Sequence, residues 1–418
     1  MVTSPGGLPE IPVPDGFWSA PGETVAGLRR VHGDLFRLKV PSWQSVYCTA
    51  GEEAHKAFLI DHLDKQSNYD PLIPRGFMPP ATAGGIITMD AGPEHRWFRK
   101  VLSPPFSSAS IAAHVPVFQE IVARRLRAWP RSGVVGMYGE MSAMAFHTTA
   151  AIVLGVTAAD DVSTLGNLFR DVTAHKPGTA ALVARELLPR IRARRQQPTN
   201  DAVSCLIRSG GLDGAPISDK QIIAHVNTLL VAGHFTTAVL ASYLLYLLVS
   251  HPQDLAQIVE EQLAIEGVDM QAVGRMERLD DALMEAERIA PPVAHLVRGV
   301  AEDFEFQGHT LRAGEYLFCS VSGTHRDPQI FAEPDTFAPC RFAPPRSERR
   351  QHPLALAGFS VGARRCLGAL LAQVTTKIMV HNILRGFTLQ PEQAAYPLIY
   401  RPVARPIGPM AFRVQARS

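Results

Sequence analysis

The sequence predicts a mainly α-helical fold with a small β-rich portion toward the N-terminus. Three observations carry this reading. Beyond residue 93, apolar residues recur at helical spacing over long stretches. Ahead of them, LFRLKV and QSVYCTA read as strands between Val25 and Ala50. Between 293 and 320, short β-type runs return (AHLVRGV, FEFQG and YLFCSV), separated by turn signals.

Taken in order, residues 1–22 are rich in Pro and Gly and are expected to lie extended on the surface. A short helical pattern, VAGLRRVHG, follows and leads into the two strands. Residues 66–92 combine four prolines and four glycines with large apolar side chains. Such a stretch is either a buried irregular loop or a lid over a pocket. Helices are predicted over 94–102, 108–128, 139–155, 178–196, 219–250, 252–265, 278–289 and 367–386. The chain reads as a single domain over 1–418, with a β-rich portion over about 1–65, an access loop over 66–92 and a helical body over 93–418.

Composition narrows the function. The 418 residues are 46% hydrophobic and 19% charged, which excludes a disordered chain. Forty-one basic residues against 39 acidic ones leave a net charge of +2, too little for a nucleic-acid binder. Seven of the basic residues are lysines, a bias that fits a GC-rich bacterial source. The five cysteines are Cys48, Cys205, Cys319, Cys340 and Cys366; they form no CxxC pair, so a reducing, cytoplasmic setting is expected. The N-terminus shows no secretory pattern. Thr228 to Val249 runs 22 residues without a formal charge, long enough to span a bilayer. It holds His234, Thr236, Thr237 and Ser242 and lacks flanking belts, so a buried core helix is expected and no membrane.

The sharpest local feature is Phe359-Ser-Val-Gly-Ala-Arg364-Arg-Cys366-Leu-Gly368, followed at once by an apolar helical pattern. A cysteine near a helix start sits where unpaired N–H groups favour an anion, so Cys366 is a candidate thiolate and soft iron ligand. Gly362 and Gly368 allow tight turns against a flat cofactor. Phe359 would shield the sulfur, and Arg364 offers a cation to a carboxylate.

This segment resembles the haem-ligand loop FxxGxRxCxG of the cytochrome P450 family. Ser360 departs from it, standing where a glycine is common. Three further segments follow the family's order, so the resemblance spans roughly 85–386. Glu285-Ala-Glu-Arg288 matches ExxR, and Pro334-Asp-Thr-Phe337-Ala-Pro339-Cys-Arg341-Phe342 matches PxxFxPxRF, whose arginine joins the pair. The resemblance implies a structural triad of Glu285, Arg288 and Arg341. His95 and Arg99, at i,i+4, match an HxxxR propionate clamp, and Arg298 and Arg364 match the two other propionate cations.

Ala232-Gly-His-Phe-Thr-Thr237 resembles the oxygen-binding segment [A/G]Gx[D/E]TT. On that pattern Gly233 makes room for dioxygen, and Thr236 donates to the distal oxygen and loosens the helix ladder locally. Phe235 occupies the position of the usual acid, which serves proton delivery. Three readings stay open: water held by Thr236 and Thr237 suffices, the substrate supplies a hydroxyl, or the reaction departs from plain hydroxylation. His234 lies about 100° round the helix and is no obvious substitute.

The family's substrate-contacting segments map onto Phe77, Met78, Ile86, Ile87, Leu229, Phe235, Val293, Ala294, His295, Leu296 and Ile399. Their apolar character implies a lipophilic small molecule. Only 34 residues separate Gly155 from RIRARRQQP, so the roof helices are expected to be short. The resemblance further implies haem b on Cys366, dioxygen as co-substrate, and electrons from NAD(P)H through a ferredoxin or flavodoxin and its reductase, since no flavin or Fe–S motif is present. Arg96, Lys100 and Arg365 would offer a basic docking face. A monomeric monooxygenase, with a place in secondary-metabolite biosynthesis, is the leading expectation. Oxidative cyclisation, coupling or desaturation is the second. A non-catalytic haem or ligand-binding protein is the third.

Overall fold

The computed structural model describes residues 7–41, 43, 45–401 and 403–417. They fall into two compact units. One comprises the chain up to Phe77 with Met284–Cys366 and Pro397–Ile407; the other comprises Met78–Leu283, Leu367–Tyr396 and Gly408–Ser418.

The first unit is built on a six-stranded sheet. Glu10–Pro12 runs parallel to Leu35–Lys39, which pairs antiparallel with Ser45–Thr49, placing Phe36 opposite Cys48. Tyr316–Ser320 lies parallel to Ser45–Thr49 and antiparallel to His295–Val300, whose other edge holds Gln66–Ser67. Alternate residues feed two apolar clusters: Phe36, Leu38, Val46, Val297 and Phe318 on one face, and Leu35, Tyr47, Val300, Leu317 and Cys319 on the other. A sheet covered on both faces explains why YLFCS is buried at every position rather than alternating.

The N-terminal expectation needs correction. Met1 to Gly6 lie outside the described residues, but the rest does not simply lie on the surface. Glu10–Pro12 is a strand, and the Phe17 ring is 1% exposed in the aromatic cluster of the sheet. The helix starts at Pro21, earlier than the VAGLRRVHG pattern, because Pro is pre-set for the first helical turn.

The second unit is helical. Met137–Leu154 and the 32-residue Asp219–Ser250 pack along one another, joined by Ser108–Arg127 and Ala369–Gly386. Asp219–Ser250 opens with a capping box: the Gln221 N–H donates to Ser218 Oγ, and the Ser218 N–H to Gln221 Oε1. Its most apolar 18-residue window is 72% buried inside the protein, which accounts for its membrane-like composition. Phe387–Pro391, Ala411–Ala416 and Ser132–Gly136 form a three-stranded antiparallel sheet.

Besides several single-turn helices, Ser163–Thr173 and Ala202–Ser209 were not legible in the pattern. The first is 11 residues and lies in the interval where short roof helices were expected; Thr179–Gln196 is longer, at 18.

The 66–92 segment is irregular but held at both ends. Gln66 Nε2 donates to the Phe58 and His62 carbonyls. In the second unit, Thr88 Oγ1 donates to Thr82 O and Gly85 O, while Asn227 Nδ2 and Thr228 Oγ1 donate to Ala81 O and Thr82 O. Pro74, Arg75 and Gly76 are exposed.

Candidate functional site

The cysteine loop is a backbone construction of the first unit. The Cys366 N–H donates to Phe359 O at 2.8 Å, and the Ser360 N–H to Ala357 O at 2.8 Å. A single 3-10 turn, Gly362–Arg364, lies between. Gly362 has φ +67°, and a Cβ there would stand 2.6 Å from Leu59 O, so a side chain is barred by both strain and space. Gly368 is ordinary backbone at φ −90° and caps Ala369–Gly386. Cys366 therefore sits two residues ahead of the N-cap rather than inside the helix, and its side chain is exposed. Ser360, at the departure from the glycine pattern, adopts φ +56°, with Oγ buried and unpaired.

Glu285, Arg288 and Arg341, the set implied by the resemblance, are joined in one buried ion-pair group. Arg288 Nε and Nη2 donate to the two Glu285 oxygens at 2.8 Å each, and Arg341 Nε donates to Oε1 at 2.9 Å. All three side chains are fully buried. The spare guanidinium hydrogens go to carbonyls: Arg288 Nη1 to His325 and Pro334, Arg341 Nη1 to Ala332. The set is larger than the motif: Arg341 Nη1 also bonds Glu348 Oε2 at 3.0 Å, and Glu348 holds Arg346. These partners offset the desolvation that pushes the Arg288 pKa down.

Arg298 is different. It is 6% exposed, gives one hydrogen bond to the Val297 carbonyl, and leaves Nε unpaired. Burial lowers its pKa to about 10. A buried guanidinium without a carboxylate among the described residues is the donor an anionic cofactor requires. Together with the exposed Cys366 thiol, it fits a haem, which needs a soft axial ligand and cations for its propionates. Arg364 is partly buried on the loop. His95 and Arg99 share the Pro93–Leu102 helix of the second unit, His95 buried and Arg99 half-buried.

On Asp219–Ser250, burial is interrupted at Ala232, Gly233, Phe235 and Thr236, while His234 and Thr237 are buried. Thr236 Oγ1 donates to Ala232 O at 2.6 Å, one turn back within the continuous helix Asp219–Ser250. A Cβ on Gly233 would lie 2.8 Å from Thr149 Cγ2, so this glycine lets the helix approach Met137–Leu154 closely. His234 Nε2 lies 2.5 Å from Ser142 Oγ, and burial lowers the His234 pKa to about 3. The imidazole is neutral and held against Met137–Leu154, which leaves it unsuited to replace the acid missing at Phe235.

The apolar candidates divide. Val293, Leu296 and Ile399 are half-buried in the first unit, and Met78 and Ile87 in the second; Ile86, Leu229 and Ala294 are buried. Phe77 packs edge-on to Trp43 at 5.1 Å, and His295 stacks between Phe17 and Phe318 at 5.3 and 5.4 Å. Those two take part in the sheet's aromatic core, where strand alternation carries His295 to the Val297 side. Of the proposed docking cations, Arg96, Lys100 and Arg365 are all exposed. Sequence reasoning missed Glu287 and Ser142, whose partners are remote in the chain, and Glu348, which joins Arg341 and Arg346 close by without a motif to mark it.

The comparisons with known proteins agree. The cytochrome P450 family model matches residues 164–413. Cytochrome P450 120 of Synechocystis sp. is 27% identical, over 97% of both chains. Cyclooctat-9-en-7-ol 5-monooxygenase of Streptomyces melanosporofaciens is 24% identical, covering 93% of this chain and 89% of its own. Among solved structures, retinoic acid-bound cyanobacterial CYP120A1 superposes with a TM-score of 0.85 at 23% identity, covering 97% of this chain and 95% of its own. The cytochrome P450DA heme domain gives 0.84 at 22%, covering 98% and 97%. The chain belongs to the cytochrome P450 family, and is an oxidoreductase of the haem-thiolate monooxygenase class that draws electrons from a redox partner.

Proposed function

We propose that this monooxygenase oxidises a lipophilic small molecule of secondary metabolism that is uncharged at its buried end, with Cys366 as the thiolate ligand of the haem iron. The observation that carries the reading is the Cys366 loop, closed by the Cys366 N–H on Phe359 O with the side chain left exposed. Haem bound there supplies dioxygen activation, to which thiolate ligation contributes electron density. Arg298 and Arg364 would hold the propionates, with the Arg298 Nε, unpaired among the described residues, as the strongest support; the resemblance adds His95 and Arg99 to that role. Phe359 excludes water from the sulfur. Thr236 holds a proton at Oγ1, now directed at Ala232 O, and would be the residue that supplies it to dioxygen chemistry. The half-buried Val293, Leu296, Met78, Ile87 and Ile399, with Phe235, orient an apolar substrate. The related proteins whose names record an unsaturated alcohol as substrate and retinoic acid as ligand support that class. Ferredoxin docking on Arg96, Lys100 and Arg365 belongs to the same proposal.

The test is the absorption spectrum of the reduced protein under carbon monoxide. A strongly red-shifted Soret band, lost in Cys366→Ser, is expected; a band typical of a neutral axial ligand in the native protein overturns the assignment. Phe235 at the acid position favours a second reading, oxidative ring closure, coupling or desaturation. Labelled dioxygen separates them, because monooxygenation alone leaves label in the organic product.

A further inference from the structure

Glu287 lies between the two ExxR residues on Glu277–Ile289, yet it takes no part in their ion-pair set. Its side chain is 4% exposed and faces the start of the cysteine loop. The carboxyl accepts the backbone N–H groups of Gly358 and Phe359. A Cβ on Gly358 would stand 2.5 Å from Glu287 Oε1, so the absence of a side chain at 358 is what admits the carboxyl. The neighbouring Ala357 N–H is directed at His325 Nε2 at 3.3 Å, and His325 Nδ1 in turn lies 3.1 Å from the Arg288 carbonyl. Three successive amides, 357 to 359, are thus held by side chains. Phe359, the last of them, supplies the carbonyl that receives the Cys366 N–H.

We propose that Glu287 is a positioning residue for the axial cysteine: its carboxyl clamps the Gly358 and Phe359 amides and so fixes the Phe359 carbonyl on which Cys366 hangs. This rests on the assignment of Cys366 as axial ligand. The clamp acts at a distance, through backbone, and touches neither sulfur nor cofactor. Burial raises the Glu287 pKa to about 8, against the pull of Arg349, the two amides and Arg365. Glu285 and Arg288 on its own helix are committed to each other, and His325 is held neutral by burial. The clamp therefore carries a neutral carboxyl below about pH 8 and a carboxylate above it, and a carboxylate grips two N–H donors more strongly.

The experiment uses the holoprotein with Glu287→Leu and Glu287→Gln, reading amide hydrogen exchange over 357–366, the ferrous–carbon monoxide spectrum and the iron's reduction potential from about pH 6 to about pH 9. In the leucine variant, exchange over the segment is expected to rise about tenfold or more, with part of the red-shifted Soret band lost while haem is retained. In the native protein, the iron's reduction potential is expected to fall as pH rises through about 8, a step that Glu287→Gln abolishes. Native exchange and native spectra in the leucine variant overturn the proposal, as does a pH step that persists in Glu287→Gln. Should the leucine variant yield no holoprotein, the glutamine variant's pH step decides alone. A native protein with no red-shifted band sinks the Cys366 assignment instead, and the exchange comparison still reads the clamp.

Discussion

Ser142 Oγ and His234 Nε2 meet at 2.5 Å across the seam between Met137–Leu154 and Asp219–Ser250, with both side chains buried. The imidazole packs against Phe146 and lies 4.1 Å, centroid to centroid, from the Phe235 ring. Among the described residues His234 Nδ1 has no partner, so the Ser142 bond is the hydrogen bond that holds the ring. Ser142→Ala leaves both ring nitrogens buried and unsatisfied, and is expected to cost about 1–3 kcal/mol. Because His234 is already neutral, the variant's activity profile against pH is expected to keep its native shape. Chemical unfolding and a pH–rate curve check both statements, and a displaced limb in the curve would give His234 a proton-transfer role after all.

Thr236 offers a cleaner separation of chemistry from structure. Its hydroxyl donates to Ala232 O one turn back, inside the continuous helix Asp219–Ser250. Thr236→Val, similar in shape, is therefore expected to leave stability within about 0.5 kcal/mol of native. Product formed per electron pair consumed is expected to fall by about a hundredfold, the low end of what a positioned proton donor contributes. Thr236→Ser is expected to restore most of it. Parallel measurement of reductant consumption and product decides; full coupling in the valine variant would remove Thr236 from proton delivery.

At Ser360 the chain carries a strain that a glycine would not. A non-glycine residue at φ +56° costs about 1–2 kcal/mol, and the Ser360 hydroxyl is buried without a partner. Ser360→Gly relieves both at the cost of a looser unfolded chain. A net stabilisation of about 1 kcal/mol is expected, with the Cys366 N–H bond to Phe359 retained. Thermal unfolding of the holoprotein tests it, and a lower midpoint would show that the serine is needed where it stands.

The same contrast explains what the sequence disclosed. Helices such as Asp219–Ser250 were legible because an apolar helical pattern runs unbroken along one stretch. Ser163–Thr173 escaped notice because Gly166, Thr164, Val172 and Thr173 depress its helix propensity, and packing overrides that. Ala202–Ser209 is too short to show a period, though the Asp201 cap was a readable sign. Phe17 was misjudged because Pro and Gly around it read as surface, while its ring is drawn into the aromatic cluster with Trp18, His295 and Phe318. Glu285, Arg288 and Arg341 were legible as a spacing pattern. Glu287 was not, since its meaning lies in amides some seventy residues away, which no local period encodes.

The buried titrating groups set opposing limbs on stability. Burial lowers the pKa of His225 to about 4 and of His234 and His295 to about 3, each from 6.5. Between those values and 6.5 the unfolded chain binds protons that the folded chain refuses, so stability falls as pH falls through this window. Glu287 works the other way: its folded pKa of about 8 lies above the ordinary 4.5, so the folded chain holds a proton that the unfolded one releases. Stability is then lost as pH rises from about 4.5 to about 8. Below about pH 6 three histidines outweigh one glutamate; above about pH 7 the glutamate acts alone, at up to about 1.4 kcal/mol per pH unit. Among these groups stability is expected to peak between those limits. Glu287→Gln is expected to flatten the alkaline limb and to steepen the acid one above about pH 4.5, where the glutamate had opposed the histidines. His295→Leu, which removes both unpaired ring nitrogens, is expected to shallow the acid limb and leave the alkaline one. Unfolding midpoints of the native and variant holoproteins from about pH 5 to about pH 9 read both limbs, and an alkaline limb unchanged in Glu287→Gln would assign that loss to another group.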